Sequence, residues 1–262
     1  MTTQDARLDE AARRLYVAQA NSSPIPPLTE SYPSLGVAEA YSVQRRNLAR
    51  HLAAGARLCG HKIGLTSAPM QALLGVDEPD FGYVLDSMVL GDGTAVPRRA
   101  FCTPRAEPEV AFLLRAPLRG PGVTAAEVMA ATEAVAAALE IVDSRIADWR
   151  ITLADTVADN ASSGAVVLGE WVPIADAPDL PGTTAALYLN DTLVETGCGT
   201  AVMGDPAVAV AWLANALAEY GTAIEAGQFV MSGSYTTAAF VHAGDRAAAT
   251  ITGLGAVGVN FE

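Results

Sequence analysis

The hydrophobic positions of the first 55 residues follow a helical period. Within residues 5–20 and 37–54, apolar side chains recur every three or four positions, which predicts two amphipathic helices. The segment between them, residues 22–34, is rich in proline, and each proline removes a backbone donor and disfavours helix in the residue before it. We therefore expect residues 1–55 to form a helical arm or a small helical subdomain.

From residue 56 onward the apolar residues form short runs separated by glycine and proline, as is typical of β-strands. The runs are HKIGL (61–65), YVLDSMVL (83–90), EVAFLL (109–114), EIVDSRI (140–146), AALYLN (185–190), TLVETG (192–197), QFVMSGS (228–234) and ATITGLGAVGVNF (249–261). This pattern, in which strands are many and do not alternate regularly with helices, indicates an α+β domain with a mixed sheet over residues 56–262.

Two helices are expected among these strands. One begins at Thr124, where Glu127 completes a capping-box pattern, and its alanine-rich sequence is expected to remain helical up to Glu140. The other begins at Asp205-Pro206 and ends at Gly221.

Composition and charge exclude several classes of protein. The sequence has 16 Lys and Arg against 29 Asp and Glu, a net charge of −13, so we expect no binding to nucleic acid through the phosphate backbone. The N-terminus has no apolar signal-peptide core, and no uninterrupted apolar run is long enough for a membrane span. We therefore expect a cytoplasmic protein without membrane contact. Its 3 cysteines are far apart and predict neither a disulfide framework nor structural zinc.

Three glutamates are candidate metal ligands. A strand would present Glu107 and Glu109 on one face, where two like charges repel unless a cation or a proton lies between them. Glu140 begins another apolar run, a poor environment for an unpaired charge. Three carboxylates suit a hard cation such as Mg²⁺ or Mn²⁺. The alternative is that all three are solvated glutamates at a strand edge and a helix end.

Two further segments carry candidate chemistry. Lys62 lies in GHKIGLTS (60–67), where glycines permit close approach of a ligand and desolvation would lower the pKa of the lysine amine. The alternative is an ordinary lysine that reaches solvent from a strand end. The polar segment ADNASSG (158–164) is compatible with a ligand-binding loop and equally with a simple turn.

Six segments, found in order between residues 37 and 261, together resemble one known family. They are GHKIGLTS (60–67), DEPDFG (77–82), PRAEPEVAF (104–112), LEIVDSRI (139–146), DTVADNASSG (155–164) and MSGS (231–234). The resemblance is to the 2-oxopent-4-enoate hydratases, which belong with the 4-oxalocrotonate decarboxylases to the fumarylacetoacetate hydrolase superfamily. It implies a mixed β-roll of the fumarylacetoacetate hydrolase C-terminal-domain type, a divalent metal, an essential lysine and homo-oligomers.

The resemblance also implies roles for individual residues. The implied ligands of Mg²⁺ or Mn²⁺ are Glu107, Glu109 and Glu140. The implied catalytic residues are Lys62, for proton transfer, and Asp80, which would orient or deprotonate water. The residues implied to contact the bound oxo acid are Leu65 and Ser162. Pro108 departs from many relatives, and we expect its position to be unpaired or at a sheet edge.

The implied activity is the addition of water to 2-hydroxypenta-2,4-dienoate, or to a close homologue, to give a 4-hydroxy-2-oxo acid. Such a reaction belongs to meta-cleavage catabolism of aromatic or steroid compounds. GHKIG and MSGS favour this hydratase over the runner-up, a metal-dependent decarboxylase of the 4-oxalocrotonate type. A third alternative is a non-catalytic subunit that associates with other enzymes of the pathway. Retention of the three glutamates and Lys62 argues against it.

Overall fold

The structure, a computed structural model, describes residues 3–262 and combines helices with two mixed β-sheets, as predicted. The helices are α1 (Thr3–Ala20), α2 (Leu28–Ser31), α3 (Val37–Ala53), α4 (Ala68–Leu74), α5 (Ala125–Ala131), α6 (Leu153–Ala158) and α7 (Pro206–Ala218). The strands are β1 (Leu58–Gly64), β2 (Asp80–Leu85), β3 (Val89–Gly91), β4 (Ala95–Val96), β5 (Arg105–Leu114), β6 (Thr132–Val142), β7 (Ser163–Leu168), β8 (Val172–Pro173), β9 (Thr184–Leu189), β10 (Thr192–Cys198), β11 (Phe229–Ser234), β12 (Ala239–Phe240), β13 (Arg246–Ile251) and β14 (Gly255–Phe261).

The larger sheet has the strand order β2-β1-β11-β5-β6-β7-β3, with β12 paired to β5 and β8 paired to β6. The smaller sheet has the order β10-β9-β13-β14-β4. Most neighbours are antiparallel, whereas β1 with β11, β3 with β7 and β4 with β14 are parallel. The strands that carry the candidate glutamates, β5 and β6, are therefore neighbours in the middle of the larger sheet.

The two predicted N-terminal helices, α1 and α3, pack against each other and against the sheets. Buried residues of this arm, among them Leu8 and Val43, belong to the same hydrophobic core as residues of both sheets. The buried Gln44 side chain of α3 donates hydrogen bonds to the carbonyl oxygens of Phe81 (2.9 Å) and Val157 (3.0 Å). The division of the chain at residue 55 stays a prediction.

The alanine-rich segment is where the prediction was wrong. α5 begins at the predicted cap, since the Thr124 side chain accepts a hydrogen bond from the Glu127 N–H. It ends at Ala131, however, and the residues up to Val142 form β6. Alanine favours helices intrinsically, but this preference is weak beside burial of a strand between two neighbours. One face of β6 packs into the main core through Val135, Ala137, Leu139 and Ile141, and the opposite face carries Glu140.

The expectation for Pro108 is corrected in part. Pro108 lies inside the sheet, since β5 pairs with β6 on one side and with β11 on the other. Its carbonyl accepts a hydrogen bond from the Tyr235 N–H at 3.0 Å, and the register of β11 against β5 shifts between Met231 and Ser234. The missing proline N–H therefore coincides with an irregularity in strand pairing, where proline is tolerated within sheets.

Two other predicted strands are divided in the structure. The run at 83–90 is interrupted by a turn of 3-10 helix at Asp86–Met88, and the run at 249–261 forms the hairpin of β13 and β14. The patterns did not predict α2, α4 or α6, which are all short.

The segment Gly199–Ala218 is long and apolar enough to pass for a membrane span. Its helical part, α7, is capped by Asp205, whose side chain accepts a hydrogen bond from the Ala207 N–H. Residues such as Val210 and Leu213 are fully buried in the protein core, and α7 packs against α5 and β11. This burial is that of a core helix.

We expect Gln44→Leu to lower the free energy of unfolding by about 1–3 kcal/mol, because two buried carbonyl groups lose a hydrogen-bond donor. The shift should appear in the midpoint of urea denaturation at unchanged slope. Gln4→Leu is the matched control, since the exposed Gln4 contacts Glu39 only at the surface, and it should change stability by less than about 0.5 kcal/mol. Equal midpoints for both variants would contradict a structural role for Gln44.

Candidate active site

Three glutamates converge where β5 and β6 pair. Glu107 and Glu109 lie on one face of β5, as predicted, and Glu107 is directly opposite Glu140 of β6. One carboxylate oxygen of each residue lies within 4.8 Å of the other two. Glu109 and Glu140 are both 0% exposed, so the alternative of solvated glutamates does not hold for them.

The three carboxyl groups lack the hydrogen bonds that buried charges require. Burial, with repulsion from Glu140, raises the pKa of Glu107 to about 7. Burial likewise raises the pKa values of Glu109 and Glu140, and the Lys62 ammonium opposes this rise at Glu140. Oε1 of Glu109 and both oxygens of Glu140 are buried, and the Glu140 carboxyl group contacts the Lys62 ammonium and the Glu109 carboxyl group. Buried oxygens gathered in this way are suitable ligands for a hard divalent cation.

One glycine supplies the contact that Glu109 does make. The Gly233 N–H donates a hydrogen bond to Oε2 of Glu109 at 2.9 Å. Gly233 has a φ of 113°, and a Cβ there would lie 2.4 Å from Oγ1 of Thr66. Only glycine fits this position in MSGS, which explains how the irregular end of β11 reaches the glutamate.

Lys62 of β1 points into the same site and is the single lysine of the sequence. It is 3% exposed, and its Nζ lies 3.2 Å from Oε1 of Glu140, so it is not a solvent-facing lysine. Burial alone would lower the pKa of Lys62, as expected from the sequence. The neighbouring carboxylates, Glu140 foremost and then Asp80, instead raise it above its usual value. The expected depression was therefore wrong for this arrangement of charges.

Asp80 lies beside Lys62 because β1 and β2 pair with Gly64 opposite Asp80. A Cβ on Gly64 would lie 2.2 Å from Oδ1 of Asp80, so the glycine leaves room for the carboxyl group. Burial raises the pKa of Asp80, and Lys62 partly opposes that rise. The Asp80 carboxyl group is buried, and the Gly64 N–H hydrogen-bonds it from the neighbouring strand.

The polar segment after α6, residues 160–162, forms a turn, and part of it lines the site. Asn160, Ala161 and Ser162 all have positive φ, at 57°, 50° and 54°. The Asn160 side chain holds this turn to β2 through hydrogen bonds with the Tyr83 N–H and carbonyl oxygen, at 2.8 and 2.9 Å. Oγ of Ser162 lies 3.2 Å from Oγ1 of Thr156, and the Thr156 side chain hydrogen-bonds Asp80.

A cavity of about 500 Å³ opens onto these groups. It is lined by five of the predicted site residues, which are Lys62, Leu65, Asp80, Glu107 and Ser162. Glu109 and Glu140 do not line the cavity, but their carboxyl groups contact the cluster through Glu107, which does.

Among the cavity-lining residues that the sequence patterns missed are Arg105, Trp149 and Thr156. Arg105 is two residues before Glu107, so strand alternation places it on the same face as the glutamates and would have identified it. Thr156 lies within DTVADNASSG, a segment that the family resemblance had already identified. No sequence signal indicated Trp149.

The chain is similar to characterised enzymes over nearly its whole length. A 2-hydroxyhexa-2,4-dienoate hydratase of Comamonas testosteroni is 43% identical over 256 residues, which cover 97% of each chain. A 2-hydroxypent-2,4-dienoate hydratase of Pseudomonas putida is 46% identical over 217 residues, or 82% of this chain and 98% of that protein.

Among solved structures, the fold is similar to that of 4-oxalocrotonate decarboxylase from Pseudomonas putida G7, complexed with magnesium and adipate. The TM-score is 0.96 at 35% identity, and the match covers 100% of this chain and 99% of the other. Residues 44–261 match the family model described as fumarylacetoacetate (FAA) hydrolase C-terminal. The predicted resemblance and fold class are confirmed, and the chain belongs to the fumarylacetoacetate hydrolase family.

Proposed function

We propose that this protein is a metal-dependent hydro-lyase that adds water to 2-hydroxypenta-2,4-dienoate, or to a close homologue, and forms a 4-hydroxy-2-oxo acid. The observation that carries the proposal is the cluster of three glutamates and Lys62 beside a cavity of about 500 Å³. Identities of 43% and 46% to two dienoate hydratases support the choice of reaction. We assign it to meta-cleavage catabolism of aromatic or steroid compounds.

Glu107, Glu109 and Glu140 would hold the cation, and Mg²⁺ or Mn²⁺ suits a site built from oxygen ligands. The fit rests on the buried oxygens of Glu109 and Glu140. When bound, the cation would stabilise negative charge on the C2 oxygen of the substrate.

Lys62 and Asp80 are the groups placed to move and orient protons. The ammonium of Lys62 lies next to Glu140, and we assign it to proton transfer at the C2 oxygen of the substrate. Loss of the enol proton and protonation at C5 give a conjugated 2-oxo-3-enoate. Water then adds at C4, because the conjugated carbonyl withdraws electrons from that carbon. Asp80, which lines the cavity beside Lys62, would orient or deprotonate this water.

Leu65 and Ser162 line the cavity next to these groups and would contact the bound oxo acid. The wider expectations from the sequence stay predictions. They are a cytoplasmic location, a homo-oligomer, association with other enzymes of the pathway, and no binding to nucleic acid or membranes.

The second candidate function is decarboxylation of a 2-oxo diacid of the 4-oxalocrotonate type. Similarity to the decarboxylase structure, at a TM-score of 0.96, favours it, and the same glutamates and lysine could serve. The reactions differ in what they require, because a decarboxylase substrate must carry a second carboxylate and a hydratase needs water at C4. Retention of the full cluster argues against a non-catalytic subunit.

Replacing a proposed metal ligand should abolish tight metal binding. We expect Glu109→Gln and Glu140→Gln to weaken Mg²⁺ or Mn²⁺ roughly 100-fold or more in titration calorimetry, since even the outer partners of metal ligands contribute about 10- to 100-fold. Mg²⁺ should raise the Tm of the wild type and leave that of these variants unchanged. The control variant Glu133→Gln changes an exposed glutamate of β6, the strand that carries Glu140, and should bind metal normally. Unchanged affinity in both site variants would rule out this ligand set.

Removing the lysine should affect the reaction more than the fold. We expect Lys62→Ala to remain folded and to bind Mg²⁺, yet to lose at least about 10²-fold in kcat, the scale of a positioned acid–base group. Circular dichroism and metal titration supply the controls. Near-normal turnover in the variant would contradict the assignment of Lys62 to proton transfer.

The identity of the product separates the two candidate reactions. With Mg²⁺, 2-hydroxypenta-2,4-dienoate or its 5-methyl homologue should give a 4-hydroxy-2-oxo acid by NMR. In ¹⁸O-labelled water the label should appear in the C4 hydroxyl, with exchange at the C2 ketone assigned separately. If the monoacids stay unhydrated while 4-oxalocrotonate releases CO₂, the decarboxylase replaces the hydratase.

A further inference from the structure

Arg105, the first residue of β5, places a guanidinium between two aromatic rings in the wall of the cavity. Its Cζ lies 4.1 Å from the ring centroid of Trp149 and 4.1 Å from that of Phe240. Phe240 is held there because it pairs directly with Arg105 across β12 and β5. Trp149 is held by a hydrogen bond of 3.1 Å from its Nε1 to the Thr103 carbonyl oxygen. The guanidinium is therefore fixed in orientation before any ligand arrives.

This guanidinium has no hydrogen-bonded anion, although the Glu107 carboxylate is near enough to interact with its charge. Among residues 3–262, Arg105 makes no hydrogen bond and no ion pair, and its Nε is buried without an acceptor. The buried Arg145 is the contrasting case, because it pairs with Asp159 at 2.6 Å and donates to the Ser163 carbonyl oxygen at 2.7 Å. Aromatic faces attract a cation but accept none of the hydrogen bonds in the guanidinium plane. The donors of Arg105 thus remain free for a ligand in the cavity.

The register of the sheet places Arg105 next to the glutamate cluster, on the face of β5 that carries Glu107 and Glu109. Lys62 pairs with Met231, and Met231 pairs with Ala111 of β5. From Ala111 the same face of β5 continues through Glu109 and Glu107 to Arg105, at about 7 Å per step along the strand. The Lys62 side chain reaches Glu140, which pairs with Glu107, so Arg105 lies one step along the same face of β5 from the point where these charges meet.

We propose that Arg105 binds the C1 carboxylate of the substrate, through hydrogen bonds from its fixed guanidinium. The inference rests on the proposed function. In the proposed reaction the C2 oxygen lies at the glutamates and Lys62. C1 is bonded to C2, so the C1 carboxylate lies beside this cluster, where Arg105 lines the same cavity. A planar guanidinium matches a carboxylate with two parallel, charge-assisted hydrogen bonds. Arg105 would thus recognise the feature that all 2-oxo acids share, whatever their C5 substituent.

Binding of two unreactive acids tests this assignment. The probes are 2-oxopentanoate, which has only the C1 carboxylate, and 2-oxohexanedioate, which carries a second one at its far end. In calorimetry with saturating Mg²⁺, Arg105→Gln should weaken both acids to a similar extent, by about 10- to 100-fold, the scale of a hydrogen bond to a charged group. Affinity for Mg²⁺ itself should not fall. Arg105→Lys keeps the charge without the planar fork and should lose less, so it also serves if the glutamine variant does not fold.

The matched control is Arg45→Gln, which removes another arginine that stacks on an aromatic ring, 4.7 Å from the Tyr220 centroid, outside this cavity. It should bind both acids normally. Weakening confined to the diacid would overturn the proposal and assign Arg105 to the far carboxylate. Unchanged binding of both acids by the Arg105 variants, with a lowered Tm, would leave Arg105 a purely structural role. Wild-type protein that binds Mg²⁺ but neither acid would instead overturn the proposed function, and this inference with it.

Discussion

The burial of three carboxylates against one another is the constraint on which the rest of this structure depends. Each charge is costly away from water unless it is paired. Strand register brings the glutamates together, and Lys62 and the Gly233 N–H contact two of them. A shift of one residue between β5 and β6 would turn Glu107 and Glu109 toward the apolar core. Packing of Val110 and Phe112 on the opposite face of β5 opposes that shift. Hydrophobic packing on one face of β5 thus determines that the glutamates are on the other face.

The backbone is irregular at several positions next to the glutamate cluster. Pro108 and Gly233 lie where the pairing of β5 with β11 changes register, and Asn160 to Ser162 follow a left-handed path next to Asp80. Left-handed conformations of non-glycine residues cost free energy and persist where the surrounding structure over-determines them. The buried pair of Arg145 and Asp159 provides such support immediately before the turn. Several of the residues with left-handed backbone, among them Leu65, Trp149 and Ser162, line the cavity.

The sequence predicted the parts of this site that depend on short-range periodicity. Alternation along a strand was enough to place Glu107 and Glu109 on one face, and the family resemblance identified the segments around them. The patterns failed where tertiary contacts override local preference. Alanine propensity suggested a helix before Glu140, although burial in the sheet makes that segment a strand. The pKa direction of Lys62 depends on carboxylates from β2, β5 and β6, which are distant in sequence and close only in the fold.

The single lysine has a practical consequence. All other basic side chains apart from histidine are arginines, so the only lysine amine of the sequence lies buried in the cavity, 3.2 Å from Glu140. Lysine labelled with ¹⁵N on its side chain would therefore give one ammonium resonance, free of overlap, that originates in the site. Amine-directed reagents, which on most proteins label the surface first, have no exposed lysine to react with here. The Lys62 ammonium is therefore a built-in spectroscopic probe of the glutamate cluster.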